Sequence, residues 1–267
     1  RIKKKAFFFD NLDQNLYLKY KRIKNTSNSC FIVVSKSGNT LETITNFNKI
    51  RLKNLLKNKL VVITELKDNA LVDLAEKFSA EIIEHKEFIA GRYSVFSEAG
   101  MFPSALMGLN IDKFKNLKKL INNKNFVLKL IQNVASIYTL NSLGIKNSVI
   151  LSYDTNLNDL AYWYQQLIGE SLGKKSKGIL PLISSMPRDG HSLMQFYLDG
   201  PKNNFYTFFN VLEKNSTKIN NKILLKSHSY LKNKNLQNIR NSQMLATQKI
   251  FKRKKIPFRN FEILERS

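Results

Sequence analysis

Small hydroxyl side chains cluster in one short stretch of the sequence, SKSGNTLET, which begins at Ser35 and ends at Thr43. Ser35, Ser37, Thr40 and Thr43 can each donate a hydrogen bond to an oxygen, and Gly38 allows close approach of the backbone. These groups suit a phosphate. Because the stretch lacks the GxxxxGK pattern of nucleotide-binding loops, it favours a phosphate monoester over a triphosphate.

The segments on either side of this loop are predicted to position it. The apolar run FIVV before the loop reads as a buried strand, and a helix is predicted from about Thr40 to Lys57. Open α/β sheets bind ligands at the carboxyl ends of their strands, and a helix begins with unpaired N–H groups that attract anions. An alternative is that the hydroxyls only cap the helix, without any ligand.

The first half of the sequence repeats a pattern of strand, loop and helix. Strands are predicted at AFFF, which ends before Asp10, and at FIVV, LVVIT and AEIIEH, with a further helix near residues 70–78. Strands that alternate with helices indicate a parallel sheet covered on both faces. We therefore predict the α/β class for this part of the chain.

The second half restarts the pattern after a helical connection over residues 111–143. The run NSVILSY reads as a strand, followed by the helix NLNDLAYWYQQLIGESLGK and a loop over residues 178–190. The strand FYTFFNVL, a helix near residues 242–252 and the segment IPFRNFEIL complete it. We predict two domains, at residues 1–122 and 123–267, of which the first carries the hydroxyl loop.

The chain is strongly basic, with 44 Lys and Arg against 20 Asp and Glu and a formal net charge of +24 in 267 residues. Such a charge is typical of partners of polyanions. The lysines are spread as short clusters among many asparagines, as AT-rich coding would also produce. Without a recognisable nucleic-acid module, we expect no nucleic-acid partner.

Cysteine content and hydrophobic patterning bear on the compartment. Cys30 is the one cysteine, so an intramolecular disulfide is excluded, and a free thiol beside an apolar run is expected to behave as a small hydrophobe. No apolar stretch is long enough to cross a bilayer, and the start of the sequence turns polar too early for a signal peptide. We expect a cytoplasmic protein without membrane contact, and the missing initiator methionine suggests a fragment.

Three further stretches extend the pattern set by SKSGNTLET. They are AGRYSVFSEAG from Ala90, YQQLIGESLGKKSKGILP from Tyr164, and RDGHSLMQFYLDGP around His191. With the hydroxyl loop, in this order, they resemble the phosphate loop, the GGRYS signature, the catalytic glutamate segment and the histidine segment of the glucose-6-phosphate isomerase family. Ala90 replaces the first glycine of the signature. This family is a member of the sugar isomerase (SIS) domain superfamily.

The resemblance implies two SIS-type three-layer α/β/α units with mainly parallel sheets. Residues 1–122 would be the first SIS domain, and residues 123–267 the second, with the catalytic glutamate and histidine. The family's Gly-Gly-Ser sugar-binding loop and its C-terminal catalytic lysine have no counterpart here, so we expect a chain cut at both ends. Four lysines near the end lie in a different context and do not inherit that role: Lys249, Lys252, Lys254 and Lys255.

The resemblance also assigns roles to individual positions. It implies catalytic roles for Glu170, His191 and Arg92. The substrate-binding positions are Ser35, Lys36, Ser37, Thr40, Thr43, Gly91 and Gln166. The family further implies a hexose 6-phosphate substrate and a homodimer in which the histidine reaches into the neighbouring subunit's active site.

The chemistry accounts for these residue types, because an aldose and a ketose interconvert by moving a proton between adjacent carbons through a cis-enediol. Glu170 would carry that proton between C2 and C1, and Arg92 would stabilise the negative oxygen of the enediolate. His191 would transfer a proton during opening of the sugar ring. Neither step needs a metal ion or a cofactor.

Each assignment has a structural alternative. Glu170 could be an exposed acid at a helix end, Arg92 a member of a surface ion pair, and His191 a helix cap. Trp163 and Tyr164 fit core or interface aromatics better than a stacking platform.

Two other functions remain open at this point. A SIS-domain sensor would bind a sugar phosphate without transforming it, and would need the hydroxyl loop but not Glu170 or His191. A nucleic-acid surface would use the lysines, and its binding would depend steeply on salt.

Overall fold

The chain divides into two compact units, Arg1–Lys124 and Asn125–Ser267, which we call unit 1 and unit 2. They are described from a computed structural model that covers residues 4–23, 26, 28–50, 59–213 and 215–264. Every described strand pairs in parallel with its neighbours. The prediction of an α/β fold with two parallel sheets is therefore confirmed.

Unit 1 contains a three-stranded sheet in the order β1-β2-β3. The strands are β1 (Cys30–Val34), β2 (Lys59–Thr64) and β3 (Glu81–Glu84). The described helices are α1 (Gln14–Lys21), α2 (Leu41–Asn48), α3 (Ala70–Lys77), α4 (Glu98–Leu106), α5 (Asp112–Lys115) and α6 (Leu117–Ile121), with a 3-10 helix at Gly91–Phe96.

Strand β2 forms the centre of unit 1 because it is apolar on both of its faces. Val62 packs with Phe47 of α2 and with Leu71 of α3, and all three side chains are buried. Helix α3 begins where Asn69 accepts hydrogen bonds from the N–H groups of Leu71 and Val72, which satisfies two of its free donors. This packing fixes the loops at the carboxyl ends of β1 and β2.

Unit 2 contains a four-stranded sheet in the order β5-β4-β6-β7. The strands are β4 (Asn147–Ser152), β5 (Leu180–Ser185), β6 (Asn204–Val211) and β7 (Phe258–Ile263). The helices are α7 (Lys124–Ser142), α8 (Asn158–Leu172), α9 (Gly190–Asp199) and α10 (Leu236–Arg253), with 3-10 helices at Thr155–Leu157, Asn221–Ile223 and Lys226–Leu231.

Successive side chains of strand β6 point to opposite faces of the sheet, and each face is covered by an apolar cluster of unit 2. Tyr206 and Phe208 pack against Phe251 of α10 on one face. Phe205 points to the other face, where Leu140 of α7 packs against its cluster. Helices therefore cover both faces of this sheet, as the burial of a parallel sheet requires.

Some predicted elements differ from the structure. The run AFFF is irregular in the structure rather than a strand, and the side chain of Phe8 is 61% exposed. The loop predicted over residues 178–190 contains strand β5, whose Pro181 is tolerated because β5 lies at the edge of the described sheet. Cys30, which was expected to behave as a small hydrophobe, is exposed at the start of β1.

The helix predicted from Thr40 to Lys57 is present from Leu41 to Asn48, and residues 51–57 of that prediction lie outside the described residues. The helical connection predicted over residues 111–143 is confirmed by α5, α6 and α7. Among the helices of the described ranges, none is both long and apolar enough to cross a membrane.

Candidate active site

The hydroxyl loop follows β1 directly and is held together by its own side chains. Ser35 is buried, and its Oγ lies 2.7 Å from Oγ1 of Thr40. Thr40 occupies the residue before α2, yet its side chain makes no capping hydrogen bond to the helix. The interpretation in which Thr40 caps α2 is therefore wrong, and the first N–H groups of the helix are not occupied by that hydroxyl. Ser37 is exposed in the same loop, and Thr43 is half-buried in the first turn of α2.

Gly38 cannot be replaced by another residue without disturbing this loop. Its φ of +70° lies in the left-handed region, and a Cβ at this position would lie 1.8 Å from Oδ1 of Asn69. The carbonyl of Gly38 also accepts a hydrogen bond from the N–H of Leu71 at 3.2 Å. The close approach that Gly38 allows is thus to the start of α3, which locks the two loops together.

Lys36 lies between the hydroxyls but is directed to other partners. Its Nζ donates to the carbonyl oxygens of Glu87 at 2.6 Å and Ile89 at 2.9 Å, and lies 3.4 Å from Oε1 of Glu65. Glu65 is buried directly after β2 and also pairs with Lys67. The hydrogen bond from Lys67, together with the charge of Lys36, lowers the pKa of Glu65.

The turn that follows β3 carries Gly91 and Arg92 in a 3-10 helix. Ala90, which replaces a glycine of the family signature, has a φ of −67° and a ψ of 146°, a conformation open to any residue, so the replacement causes no backbone strain. Arg92 is half-buried, with its Cζ 4.9 Å from the ring centroid of Tyr93. Gly100 of the same motif is required, because a Cβ there would lie 2.1 Å from the carbonyl oxygen of Val95.

In unit 2, helix α8 presents Gln166 and Glu170 on one exposed face. The two residues are four positions apart, and Nε2 of Gln166 donates to Oε1 of Glu170 at 2.8 Å. This hydrogen bond orients the carboxylate. Tyr164 on the preceding turn lies against the sheet, with its hydroxyl 3.4 Å from Oγ of Ser148.

His191 is the second residue of α9 and its side chain is exposed. The turn before it is fixed by Asp189, which accepts hydrogen bonds from the N–H of Ser185 at 2.7 Å and from Nε of Arg188 at 2.9 Å. Burial raises the pKa of Asp189, but these hydrogen bonds and the charge of Arg188 outweigh it and lower the pKa.

The two predicted proton-transfer residues of unit 2 lie at opposite ends of its sheet. Nε2 of Gln165 donates to the carbonyl of Pro181 at the amino end of β5, and Glu170 lies beyond it on α8, further from the strand's carboxyl end. His191 follows the carboxyl end of β5, where Asp189 binds Ser185. From the rise per residue of strands and helices, their backbones are roughly 20 Å apart.

The structure thus gathers the predicted residues into separate groups. Ser35 and Thr40 are in contact, and so are Gln166 and Glu170, whereas Glu170 and His191 of one chain are apart. Glu65 is a residue of this site that was not predicted from the sequence. A signal for it was present, since it directly follows the predicted strand LVVIT and so belongs at the ligand-binding edge of the sheet.

Comparison with protein families identifies this arrangement. The family model described as phosphoglucose isomerase matches residues 2–185. A glucose-6-phosphate isomerase of Methanocaldococcus jannaschii is 37% identical over 212 residues, which cover 76% of this chain and 52% of that protein. A glucose-6-phosphate isomerase of Mesomycoplasma hyopneumoniae is 34% identical over 206 residues, 72% of this chain and 48% of that protein.

Solved structures share the fold. A hypothetical protein from Thermus thermophilus superposes with a TM-score of 0.81 at 22% identity, covering 95% of this chain and 65% of that one. A glucose-6-phosphate isomerase from Chlamydia trachomatis gives a TM-score of 0.67 at 19% identity, covering 93% of this chain and 50% of that one. The chain spans about half the length of the curated relatives that it matches. By the family match over more than half of its residues, the chain belongs to the phosphoglucose isomerase family.

Proposed function

We propose that the intact protein interconverts glucose 6-phosphate and fructose 6-phosphate, as an isomerase of glycolysis and gluconeogenesis. The observation that carries this proposal is the family match over residues 2–185, because that stretch holds the hydroxyl loop, Arg92 and Glu170 in uninterrupted order. His191 lies just beyond the matched stretch, at the start of α9.

The hydroxyl loop is proposed to hold the substrate phosphate. Ser35, Ser37, Thr40 and Thr43 would donate to its oxygens, and the start of α2 adds backbone N–H groups with a partial positive charge. The contact between Ser35 and Thr40 supports this role, since both hydroxyls stay at the loop instead of bonding the helix backbone. The phosphate lies far from the reacting carbons, so its binding energy can orient them.

Proton transfer is assigned to Glu170. Its carboxylate would take the proton from C2 or C1 of the open-chain sugar and return it to the other carbon, with Gln166 orienting the carboxylate and contacting the sugar. Gly91 leaves space beside the reacting carbons, as a Cβ on it would meet nothing within 4 Å. Arg92 would stabilise the oxygen on which negative charge develops in the enediolate.

Ring opening is assigned to His191 of a second copy of the chain. Because Glu170 and His191 of one chain lie at opposite ends of the unit 2 sheet, a substrate that contacts both requires the histidine to come from elsewhere. This supports a homodimer in which each active site takes its histidine from the partner. We further propose a cytoplasmic location, with no nucleic-acid or membrane partner.

The first experiment is the conversion of fructose 6-phosphate to glucose 6-phosphate by the intact protein, measured beside a Glu170→Gln variant. The amide keeps the shape of the side chain and its contact with Gln166 but cannot accept the proton. We expect turnover to fall by about a thousandfold, in the range attributed to a general base. Affinity for fructose 6-phosphate, measured by calorimetry, should stay within about threefold.

Either of two results would overturn the proposal. Turnover of the Glu170→Gln variant close to that of the natural protein would remove Glu170 as the base. A folded, intact protein that binds the sugar phosphate but never converts it would be a sugar-phosphate sensor instead.

A further inference from the structure

Lys36 joins two segments of unit 1 that are far apart in the sequence. It sits within the hydroxyl loop, between Ser35 and Ser37, yet its Nζ lies 2.6 Å from the carbonyl oxygen of Glu87 and 2.9 Å from that of Ile89. Those carbonyls belong to the segment that leads from β3 into the 3-10 helix Gly91–Phe96. The side chain therefore ties the phosphate loop to the segment that carries Arg92.

A count of donors shows how fully this ammonium group is used. A lysine ammonium has three N–H donors. Two are directed at the carbonyls of Glu87 and Ile89, and the third faces Oε1 of Glu65 at 3.4 Å. A phosphate oxygen could reach Nζ only by displacing one of these partners, which leaves the phosphate to the hydroxyls and backbone N–H groups of the loop.

The segment held by Lys36 is short and leads directly to the site. The N–H of Ile89 bonds the carbonyl of Lys86 at 3.1 Å, which closes a turn. The N–H of Tyr93 bonds the carbonyl of Ala90 at 2.8 Å, so the helix that contains Arg92 starts at Gly91, two residues after Ile89. A shift of the Ile89 carbonyl would therefore move the backbone of Arg92.

We infer that Lys36 is a positioning residue, which sets the place of Arg92 relative to the phosphate loop through the carbonyls of Glu87 and Ile89. The inference rests on the proposed isomerase function. Glu65, which is buried, assists by balancing the charge of Lys36, whose side chain is 30% exposed. Because Lys36 ties the hydroxyl loop to the segment before Arg92, a phosphate bound by the loop is held at a fixed place relative to Arg92, so that energy from the remote end of the substrate aligns its reacting carbons with that group.

The test compares Lys36→Met with Lys67→Met in the intact protein. Lys67 pairs with the same carboxylate of Glu65, but no carbonyl of the segment before Arg92 is among its described contacts, so it is a matched control. Two constants are measured: kcat for fructose 6-phosphate, and the inhibition constant of inorganic phosphate, which reports on the loop without the sugar.

For Lys36→Met we expect kcat to fall by at least about tenfold, because misplacement near 1 Å at the reacting centre can cost a hundredfold. The phosphate inhibition constant should change by less than about threefold, since no phosphate ligand is removed. Lys67→Met should leave both constants within about threefold. A large rise in the phosphate inhibition constant with unchanged kcat would make Lys36 a phosphate ligand and overturn the inference.

A double-mutant cycle with Arg92→Lys separates positioning from a general structural role. If Lys36 acts through Arg92, then adding Lys36→Met to Arg92→Lys should lower kcat by less than about twofold more. Losses that multiply independently would contradict this coupling.

Amide hydrogen exchange distinguishes failure of this inference from failure of the proposed function. Residues 87–96 should exchange faster in Lys36→Met than in Lys67→Met, whether or not the protein is an isomerase. If the natural protein shows no isomerase activity, the proposed function fails. The exchange rates of residues 87–96 still show whether Lys36 holds the segment before Arg92 in place. Equal exchange in the two variants would refute the inference.

Discussion

The residues proposed to bind phosphate in unit 1, which we call the binding half, and the residues proposed to transfer protons in unit 2, which we call the proton-transfer half, are held in contrasting ways. In unit 1, the hydroxyl loop is fixed before any substrate arrives: Ser35 contacts Thr40, Gly38 packs on Asn69, and Lys36 reaches the segment before Arg92. In unit 2, Glu170 and His191 are exposed; Gln165, near Glu170, binds the amino end of β5, whereas the turn before His191 binds its carboxyl end. The residues of the binding half are therefore held near one another, whereas those of the proton-transfer half are held apart.

This difference shows how the two tasks constrain a structure. A phosphate needs several donors at fixed places, and a loop between a strand and a helix can supply all of them locally. Proton transfer between C1 and C2 and proton transfer during ring opening need groups that approach the sugar from different directions, which one helix and one strand end of a single sheet do not provide. We therefore expect variants of the two halves to fail in different ways.

The largest expected effect comes from mixing two inactive variants, Glu170→Gln and His191→Asn. In a symmetric dimer that shares its histidines, a mixed dimer has one site with both natural residues and one site with neither. Random exchange of subunits should restore about a quarter of the natural activity, from variants that alone have on the order of a thousandth. Isomerase activity is measured before and after exchange by partial unfolding and refolding.

The control for this experiment is each variant carried through the same exchange alone, which should stay inactive. Absence of recovery in a mixture shown to contain mixed dimers would place both residues of a site in one chain.

Gly38→Ala should test the rigidity of the binding half. The substitution places a Cβ 1.8 Å from Oδ1 of Asn69 and forces a non-glycine residue into the left-handed region. We expect a loss on the order of 3 kcal/mol in the free energy of unfolding, from strain and overpacking together. Urea denaturation of the intact protein provides the measurement.

Gly169→Ala serves as the matched variant in unit 2. Nothing lies within 4 Å of a Cβ there, and Gly169 is inside helix α8, so its stability should rise by about 0.5–1 kcal/mol. Similar losses of stability in the two variants would contradict the contrast between the hydroxyl loop and helix α8.

Thr40→Val should weaken phosphate binding with little change in turnover at saturation. The change removes the hydroxyl that contacts Ser35 while keeping the shape of the side chain. The loss of one hydrogen bond to a charged group corresponds to about tenfold in affinity. Thr45→Val, within helix α2, is the control. The affinity of each variant for inorganic phosphate is measured by calorimetry. Equal affinities in the two variants would show that Thr40 does not bind the phosphate.

The smallest expected effect concerns pH and the turn before His191. The pKa of Asp189 is lower in the folded protein than in the unfolded chain, so its ionised form adds stability above about pH 4. That contribution is lost as pH falls from there through the folded-state pKa. Between pH 6 and pH 3, the natural protein should therefore lose up to about 1 kcal/mol more stability than Asp189→Asn. Denaturation at both pH values checks this, and an equal loss would exclude the turn as a pH-dependent element.

Much of the fold was predictable from the sequence, because buried parallel strands read as continuous apolar runs. FIVV, LVVIT and NSVILSY each became a strand, and the helix at residues 70–78 was confirmed. Strand β5 was missed because Pro181 and its serines resemble a loop, and only its edge position in the described sheet makes them tolerable. AFFF was wrongly predicted because local propensity carries no information on whether a pairing partner exists.

The residues of the site were predictable from the sequence only where the type and spacing of their side chains indicate a function. The hydroxyls of the loop and the spacing of Gln166 and Glu170 are visible in the sequence. The contacts of Lys36 were not, because its partners are the backbone carbonyls of Glu87 and Ile89, and every residue has a carbonyl. The opposite placement of Glu170 and His191 depends on strand β5, which was not predicted from the sequence.

The register of the two sheets has a consequence for the order of folding. In unit 1, β1 and β2 pair Val33 with Val62, whereas β4 and β6 in unit 2 pair Ile150 with Thr207, across a much longer stretch of chain. Closing a longer loop costs more entropy and slows folding. Unit 1 also leaves the ribosome first, so we expect its sheet to form during synthesis, while unit 2 is still being translated. A newly made chain would then hold a finished hydroxyl loop before Glu170 has been added to it.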